Sequence, residues 1–177
     1  QSAILQQVTD LWVVGKSQPK ECDALFKKWR KQGYMTQERI WQRLTLAAQK
    51  GKHTLIPYLK LQLPKNEQYL AYLYHKMRKD PSASAGLYRF KNANLKEAEI
   101  AIYGIKRLIW RDDDLALRAW RKLDVKFKFT EQQKQGVYYT FAMALASSKH
   151  KEVKFWLNKV AVEKHDKKLM QWQLTNM

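Results

Sequence analysis

Glycine and proline are scarce in this chain, six and four among 177 residues, roughly half the usual combined share. All-β folds, collagen and Pro-rich linkers need far more turn residues and are excluded. Strand-favouring apolar residues are few as well: 8 Val and 7 Ile stand against 21 Leu and 16 Ala. Leu and Ala are strong helix formers, whereas β-branched side chains prefer strands. The balance predicts an all-α fold. No apolar run approaches the ~18 residues of a membrane-spanning helix. A single cysteine, Cys22, cannot build a disulfide framework within the chain. The four histidines, His53, His75, His150 and His165, lie too far apart for a compact helical metal motif. Gly-rich phosphate loops, the Gly-x-Ser-x-Gly elbow and the His-Glu-x-x-His pair are all missing. Neither a metal nor a cofactor is expected.

Acidic residues are in short supply too. Sixteen Asp and Glu face 34 Lys and Arg, a net charge of +18. An ordinary small domain carries a magnitude of about 2–8, so an anionic partner is expected: RNA, DNA, anionic lipid or an anionic cell-wall polymer. Hydrophobic residues make up 45% of the chain, which excludes wholesale disorder. The chain begins at Gln1 rather than Met, as a processed protein or a piece of a longer one would.

What is present is helical periodicity. Ile40, Leu44, Ala47 and Ala48 fall on one stripe within 36–50, with Trp41 beside them. Tyr69, Leu70, Leu73, Tyr74 and Met77 repeat the pattern over 66–79. Ala98, Ala101, Ile102, Ile105 and Ile109 do so over 95–110, and Val137, Phe141, Ala144 and Leu145 over 131–147. Asn94 precedes Glu97 by three residues and Thr130 precedes Gln133 by three, the spacing of a capping box. Asp112, Asp113 and Asp114 open a further helix, where the helix dipole favours carboxylates. Three adjacent residues point to different helix faces, so they read as a solvated cap rather than a metal or acid cluster.

Turn signals recur at Gly15, Gly51, Asp80, Asp112 and Ser148, with steps of 36, 29, 32 and 36 residues. Each step holds a longer and a shorter helix. The shorter one carries a large apolar pair: Phe26 and Trp29, Tyr58 and Leu59, Leu87 and Tyr88, Trp120 and Leu123, Trp156 and Leu157. A period near 34 with two helices per unit predicts an α-solenoid of antiparallel helical hairpins, tetratricopeptide-like, with about ten helices. A single bundle is the competing arrangement. No Gly-, Pro- or Ser-rich linker divides the chain, so one domain over 1–177 is expected.

The basic residues cluster at Lys27, Lys28, Arg30 and Lys31, at Lys106, Arg107 and Arg111, and at Arg118, Arg121 and Lys122. Lys106, Arg107, Arg111, Arg118 and Arg121 straddle one turn and are the candidates for contacting a polyanion. The many Trp and Tyr residues offer stacking surfaces for nucleobases or sugar rings. Their places on the apolar stripes assign them to the core first.

The run Leu11-Trp12-Val13-Val14-Gly15-Lys16-Ser17-Gln18-Pro19-Lys20-Glu21-Cys22-Asp23 is more specific. It resembles the soluble lytic murein transglycosylases of Gram-negative bacteria, in which a Leu-Trp, a Gly-Lys-Ser-Gln-Pro turn and a Cys-Asp lead into an apolar helix ending in Trp, here Trp29. The close match covers about residues 10–33; the rest shares the helical-hairpin pattern. The resemblance implies a segment of a ring-like or superhelical helical domain that a lysozyme-like catalytic domain follows. It implies a periplasmic location, peptidoglycan as partner, and cleavage between N-acetylmuramic acid and N-acetylglucosamine with a 1,6-anhydro product by the parent protein. The family's catalytic acid is a Glu followed by Ser. The eight Glu here are followed by Cys, Arg, Gln, Ala, Ile, Gln, Val and Lys, so no catalytic residue is carried over. Cys22, expected to be mostly buried, is implied to pair with a cysteine outside this chain. An RNA-binding repeat and a protein-interaction solenoid are the alternative functions.

Overall fold

Helix starts are marked by side chains that take up orphan backbone N–H groups. In the computed structural model, which describes residues 2–52, 54–161 and 175, Thr36 accepts from the Arg39 N–H, Asn94 from Glu97, Asp112 from Leu115 and Thr130 from Gln133. At Thr130 the Gln133 side chain reaches back to the Thr130 N–H and completes the predicted capping box. The described residues form nine α-helices and no strand, so the all-α expectation holds. They fall into two compact units, Gln1–Lys79 and Asp80–Met177.

The first unit holds α1 (Ser2–Trp12), α2 (Asp23–Lys31), α3 (Gln37–Gln49), α4 (Leu55–Gln62) and α5 (Gln68–Lys79). A short 3₁₀ turn, Lys20–Cys22, leads into α2. Trp12 of α1 and Trp29 of α2 are both buried, with ring centroids 5.2 Å apart. The Trp29 indole N–H donates to the Thr9 hydroxyl at 3.1 Å, which donates to the Leu5 carbonyl, so burying this polar edge leaves no group unsatisfied. The predicted stripes of α3 and α5 are buried, apart from a half-buried Tyr69, and α4 adds Leu55, Ile56 and Leu59 between them. α3 ends where Gly51 turns to a φ of +71°, with the Lys52 N–H bonded to the Ala47 carbonyl and Gly51 to Ala48. This left-handed helix stop is one that glycine adopts without steric cost.

The second unit opens with two 3₁₀ turns, Pro81–Ala85 and Leu87–Arg89, followed by α6 (Leu95–Leu108), α7 (Asp113–Lys126), α8 (Glu131–Ser147) and α9 (Val153–Lys159). Here the sequence expectation is corrected. No α-helix anchored by Leu87 and Tyr88 follows Asp80; Tyr88 is 72% exposed and Phe90 is the buried anchor. Pro81, Ser82, Ser84 and Gly86 are poor helix residues, and two short 3₁₀ turns take the place of the helix. Against Pro81–Ala85 pack α6 and α7, while α8 packs on α6 and α9. A run of touching rings, Phe90, Phe127, Phe129, Trp120, Phe141 and Trp156, passes through this core at centroid distances of 4.9–6.2 Å. Each such pair contributes about 0.5–1.5 kcal/mol beyond the area it buries.

Candidate polymer-binding surface

The Gly15–Pro19 loop is a packing device. Gly15 is buried, and a Cβ there would stand 2.5 Å from the Leu46 carbonyl oxygen, so only glycine lets the loop lie on α3. The Gln18 side-chain amide donates back to the Leu11 carbonyl. Beneath the loop lies Arg43, 4% exposed, its guanidinium 4.5 Å from the Trp12 ring centre and one Nη bonded to the Lys16 carbonyl at 3.3 Å. Burial pulls the Arg43 pKa below its ordinary value, opposed by the nearby Tyr58. Among the described residues no carboxylate pairs with Arg43, and its Nε has no hydrogen-bond partner. The stacking on Trp12 takes the place of an ion pair. Cys22, at the end of the 3₁₀ turn, is half-buried rather than mostly buried, and its thiol is free within this chain.

The five basic candidates do not stand alike. Lys106 is half-buried on α6, its ammonium 3.8 Å from where a Cβ on Gly136 of α8 would lie, and burial lowers its pKa. Arg107 lies over the Tyr103 ring at 5.6 Å. Arg121 is held in a two-pronged ion pair by Glu152 at 2.8 and 2.9 Å. Arg111 and Arg118 are exposed. Arg111 edges an open cleft of about 240 Å³ with Trp110, Ala144 and Ser148.

The aspartate cap does more than cap. Asp113 accepts from the Ser148 hydroxyl at 3.0 Å and Asp114 lies 3.4 Å from His150 Nε2, which ties the start of α7 to the turn between α8 and α9. Asp113, Asp114 and His150 bring potential ligand atoms within 4.8 Å of one another. The Glu152 N–H donates to His150 Nδ1 at 3.1 Å, so the neutral ring carries its proton on Nε2. That nitrogen then has no lone pair to offer a metal, and donates to Asp114 instead. His75 is half-buried on α5, and His53 and His165 lie outside the described residues.

Glu97 is fully buried, and its carboxylate accepts the backbone N–H groups of Lys91, Asn92 and Ala93 at 3.0, 3.0 and 2.6 Å. It reaches further back than the predicted capping box and holds the loop in which Ala93 has a φ of +48°. Glu99, two residues on, is exposed on another face of α6.

A second cleft, about 210 Å³ and formed by α7, α8 and α9, was not foreseen. Tyr138, Phe155 and Trp156 supply its aromatic wall, with Arg121, Asp124 and Lys159 around it. Phe155 is 53% exposed. Its position just off the Trp156 and Leu157 stripe is the one sequence signal that could have marked it. Lys134 of α8 pairs with Asp124 of α7 at 2.9 Å, and this bond, ahead of the cost of burial, raises the Lys134 pKa.

No model of a known protein family matches the chain. The soluble lytic murein transglycosylase of Salmonella typhimurium is 36% identical over 80 residues, 45% of this chain and 12% of that protein. Its Escherichia coli counterpart is 38% identical over 66 residues, 37% of this chain and 10% of that one. Among solved structures, an inactive mutant of the lytic transglycosylase Slt from Pseudomonas aeruginosa matches 96% of this chain with a TM-score of 0.84 and 25% identity. The 70-kDa soluble lytic transglycosylase of Escherichia coli matches 96% at a TM-score of 0.73 and 23% identity. Each match spans only a small part of the larger protein, 27% and 28% of the two solved chains. The chain is thus similar to one helical segment of these enzymes, and the resemblance read from residues 10–33 holds.

Proposed function

We propose that this chain is a helical segment of a periplasmic lytic murein transglycosylase, one that holds peptidoglycan while another part of the parent protein cuts it. The observation that carries this reading is the structural match over 96% of the chain, joined to the Gly15–Pro19 loop. The parent's reaction on this reading is cleavage between N-acetylmuramic acid and N-acetylglucosamine with a 1,6-anhydro product, performed by a lysozyme-like domain. Glycosidic cleavage needs a positioned acid at the leaving oxygen. Glu97 is committed to three backbone donors, and no Glu here stands before Ser. In an oxidising compartment Cys22 would pair with a cysteine elsewhere in the parent.

The grip rests on charge. Peptidoglycan stem peptides carry carboxylates, and a long polymer adds many weak contacts by avidity. Of the five basic candidates, Arg111 and Arg118 reach solvent with no acidic partner among the described residues, so they carry most of the effect, with Lys106, Arg107 and Arg121 behind them. Exposed contacts of this kind are screened over about 8 Å at physiological salt. The test is co-sedimentation of the purified chain with murein sacculi across a salt series, beside an R111Q/R118Q variant. Retention that falls with salt, is weaker in the variant and releases no anhydro-muropeptides is expected. Salt-indifferent retention would remove the electrostatic account, and tighter salt-sensitive binding to RNA would favour a nucleic-acid role.

A further inference from the structure

The cleft between α7, α8 and α9 combines three features. Phe155 keeps 53% of its surface in solvent beside a wall made by Tyr138 and Trp156. The Lys159 ammonium sits 5.4 Å from the Tyr138 ring centre and 5.0 Å from that of Phe155, and no carboxylate pairs with it among the described residues. Hydrogen-bonding capacity is also left over: the Tyr138 hydroxyl has no hydrogen-bond partner among the described residues, and the Asp124 side chain is 31% exposed although one of its oxygens meets Lys134.

We propose that this cleft is a binding site for a pyranose that bears a carboxylate, the chemistry of a muramyl residue whose lactyl group carries no stem peptide. An exposed aromatic face takes up the C–H face of a sugar ring. Tyr138 and Asp124 offer one donor-acceptor and one acceptor to ring hydroxyls, which themselves both donate and accept. Lys159 is held in place by aromatic rings instead of by an acid, so its charge remains available to an anion. Arg121 is already bound to Glu152, which leaves Lys159 as the carboxylate's partner. Pockets for drug-sized ligands run to roughly 300–1,000 Å³; an open cleft of about 210 Å³ suits a single sugar ring and its substituent better than a longer stretch of glycan.

The inference rests on the peptidoglycan reading and adds to it one cleft, which Arg111 and Arg118 do not line. Its test titrates the intact chain with N-acetylmuramic acid and, separately, with neutral N-acetylglucosamine, read by tryptophan fluorescence and by amide chemical shifts of α8 and α9. Dissociation constants of the order of 1–10 mM are expected for the acid, with shifts confined to the cleft. K159Q is expected to weaken the acid about fivefold and leave the neutral sugar unchanged, while F155A weakens both about fivefold. K128Q, which removes an exposed charge outside the cleft, leaves both unchanged. Far-UV circular dichroism checks that each variant folds. Wild-type binding by K159Q and F155A would overturn the cleft assignment, and retention on sacculi would then leave the broader reading standing. Cleft shifts with N-acetylmuramic acid but no retention on sacculi would uphold the cleft and sink the broader reading. Tighter binding of the neutral sugar would overturn the carboxylate role.

Discussion

Replacing Glu97 by Ala removes one buried side chain and unties three backbone donors. The Lys91, Asn92 and Ala93 N–H groups lie 3.0, 3.0 and 2.6 Å from its carboxylate. A hydrogen bond to a charged group is worth about 1.5–3 kcal/mol. Lys91, Asn92 and Ala93 are themselves exposed, so water replaces part of each bond, and about 1 kcal/mol per donor is the better figure. The three bonds also hold Ala93 in the left-handed region at φ +48°, a conformation that costs roughly 1–2 kcal/mol for a residue with a Cβ. The expected loss is therefore about 3 kcal/mol, and the Asp80–Met177 unit should melt some 10–20 °C lower. Glu97→Gln keeps one acceptor but turns an amide N–H toward donors, for about 2 kcal/mol. Glu99→Ala, on the exposed face, should change stability by less than about 0.5 kcal/mol. Thermal melting followed by circular dichroism gives the magnitude, and hydrogen exchange at Lys91, Asn92 and Ala93 gives the place. A melt within about 1 kcal/mol of native, with these three amides still protected, would refute the reasoning.

Gly15→Ala should cost about 1–3 kcal/mol and lower the midpoint of urea unfolding in the Gln1–Lys79 unit, because its Cβ would meet the Leu46 carbonyl, which is backbone and has little room to give; an unchanged midpoint would mean the loop has space to spare. Arg43→Lys keeps the charge but loses the flat stack on Trp12 and the geometry of the bond to Lys16, and should cost about 1–2 kcal/mol in the same assay. For Glu152, burial alone would raise the pKa, but hydrogen bonds from Arg121 and Trp156 and the charge of Arg121 outweigh it, so the net shift is downward. A depressed carboxylate stabilises above its unfolded pKa, near 4.3, and loses that contribution as pH falls through the lower folded value. The gap between native protein and Glu152→Gln, about 0.5–1 kcal/mol for so exposed a pair, should be constant above about pH 5 and close below about pH 4; a gap that widens in acid would reverse the assignment.

What could be read from the sequence was what depends on neighbours within one helix. Ile40, Leu44 and Ala47 are buried because a 3.6-residue period places them on one side, and Asn94 and Thr130 cap because the N3 donor is three residues away. Arg43 shows where this stops. It follows Ile40 by three residues and shares its buried face, yet a charged residue is assigned to solvent unless the ring that covers it is known, and Trp12 lies 31 positions earlier in the chain. Arg121 and Glu152 are also 31 residues apart, and Asp114 and His150 are 36 apart. These pairings are set by how one hairpin lies on the next, which no local period encodes. Tyr88 misled for a simpler reason: a repeat was extended across Pro81 and Gly86, whose backbone preferences outweigh it.

The residues that signal kinship and the residues proposed to bind are different sets, and the physics of each explains why. Gly15 must be glycine because it touches a backbone carbonyl, and Trp12, Trp29 and Arg43 hold one another in a stack. A change in any of them costs stability directly. The rest of a helical hairpin needs only an apolar stripe and a cap, which many side chains satisfy. That accounts for a TM-score of 0.84 at 25% identity. Phe155, Lys159, Arg111 and Arg118 sit outside both requirements: they are exposed and free to vary without loss of fold. The likeness to the transglycosylases therefore constrains the helices far more tightly than it constrains the ligand. The choice between a sugar carboxylate and any other anion falls to these four side chains, and they are the ones whose substitution should alter binding while leaving the melting temperature where it is.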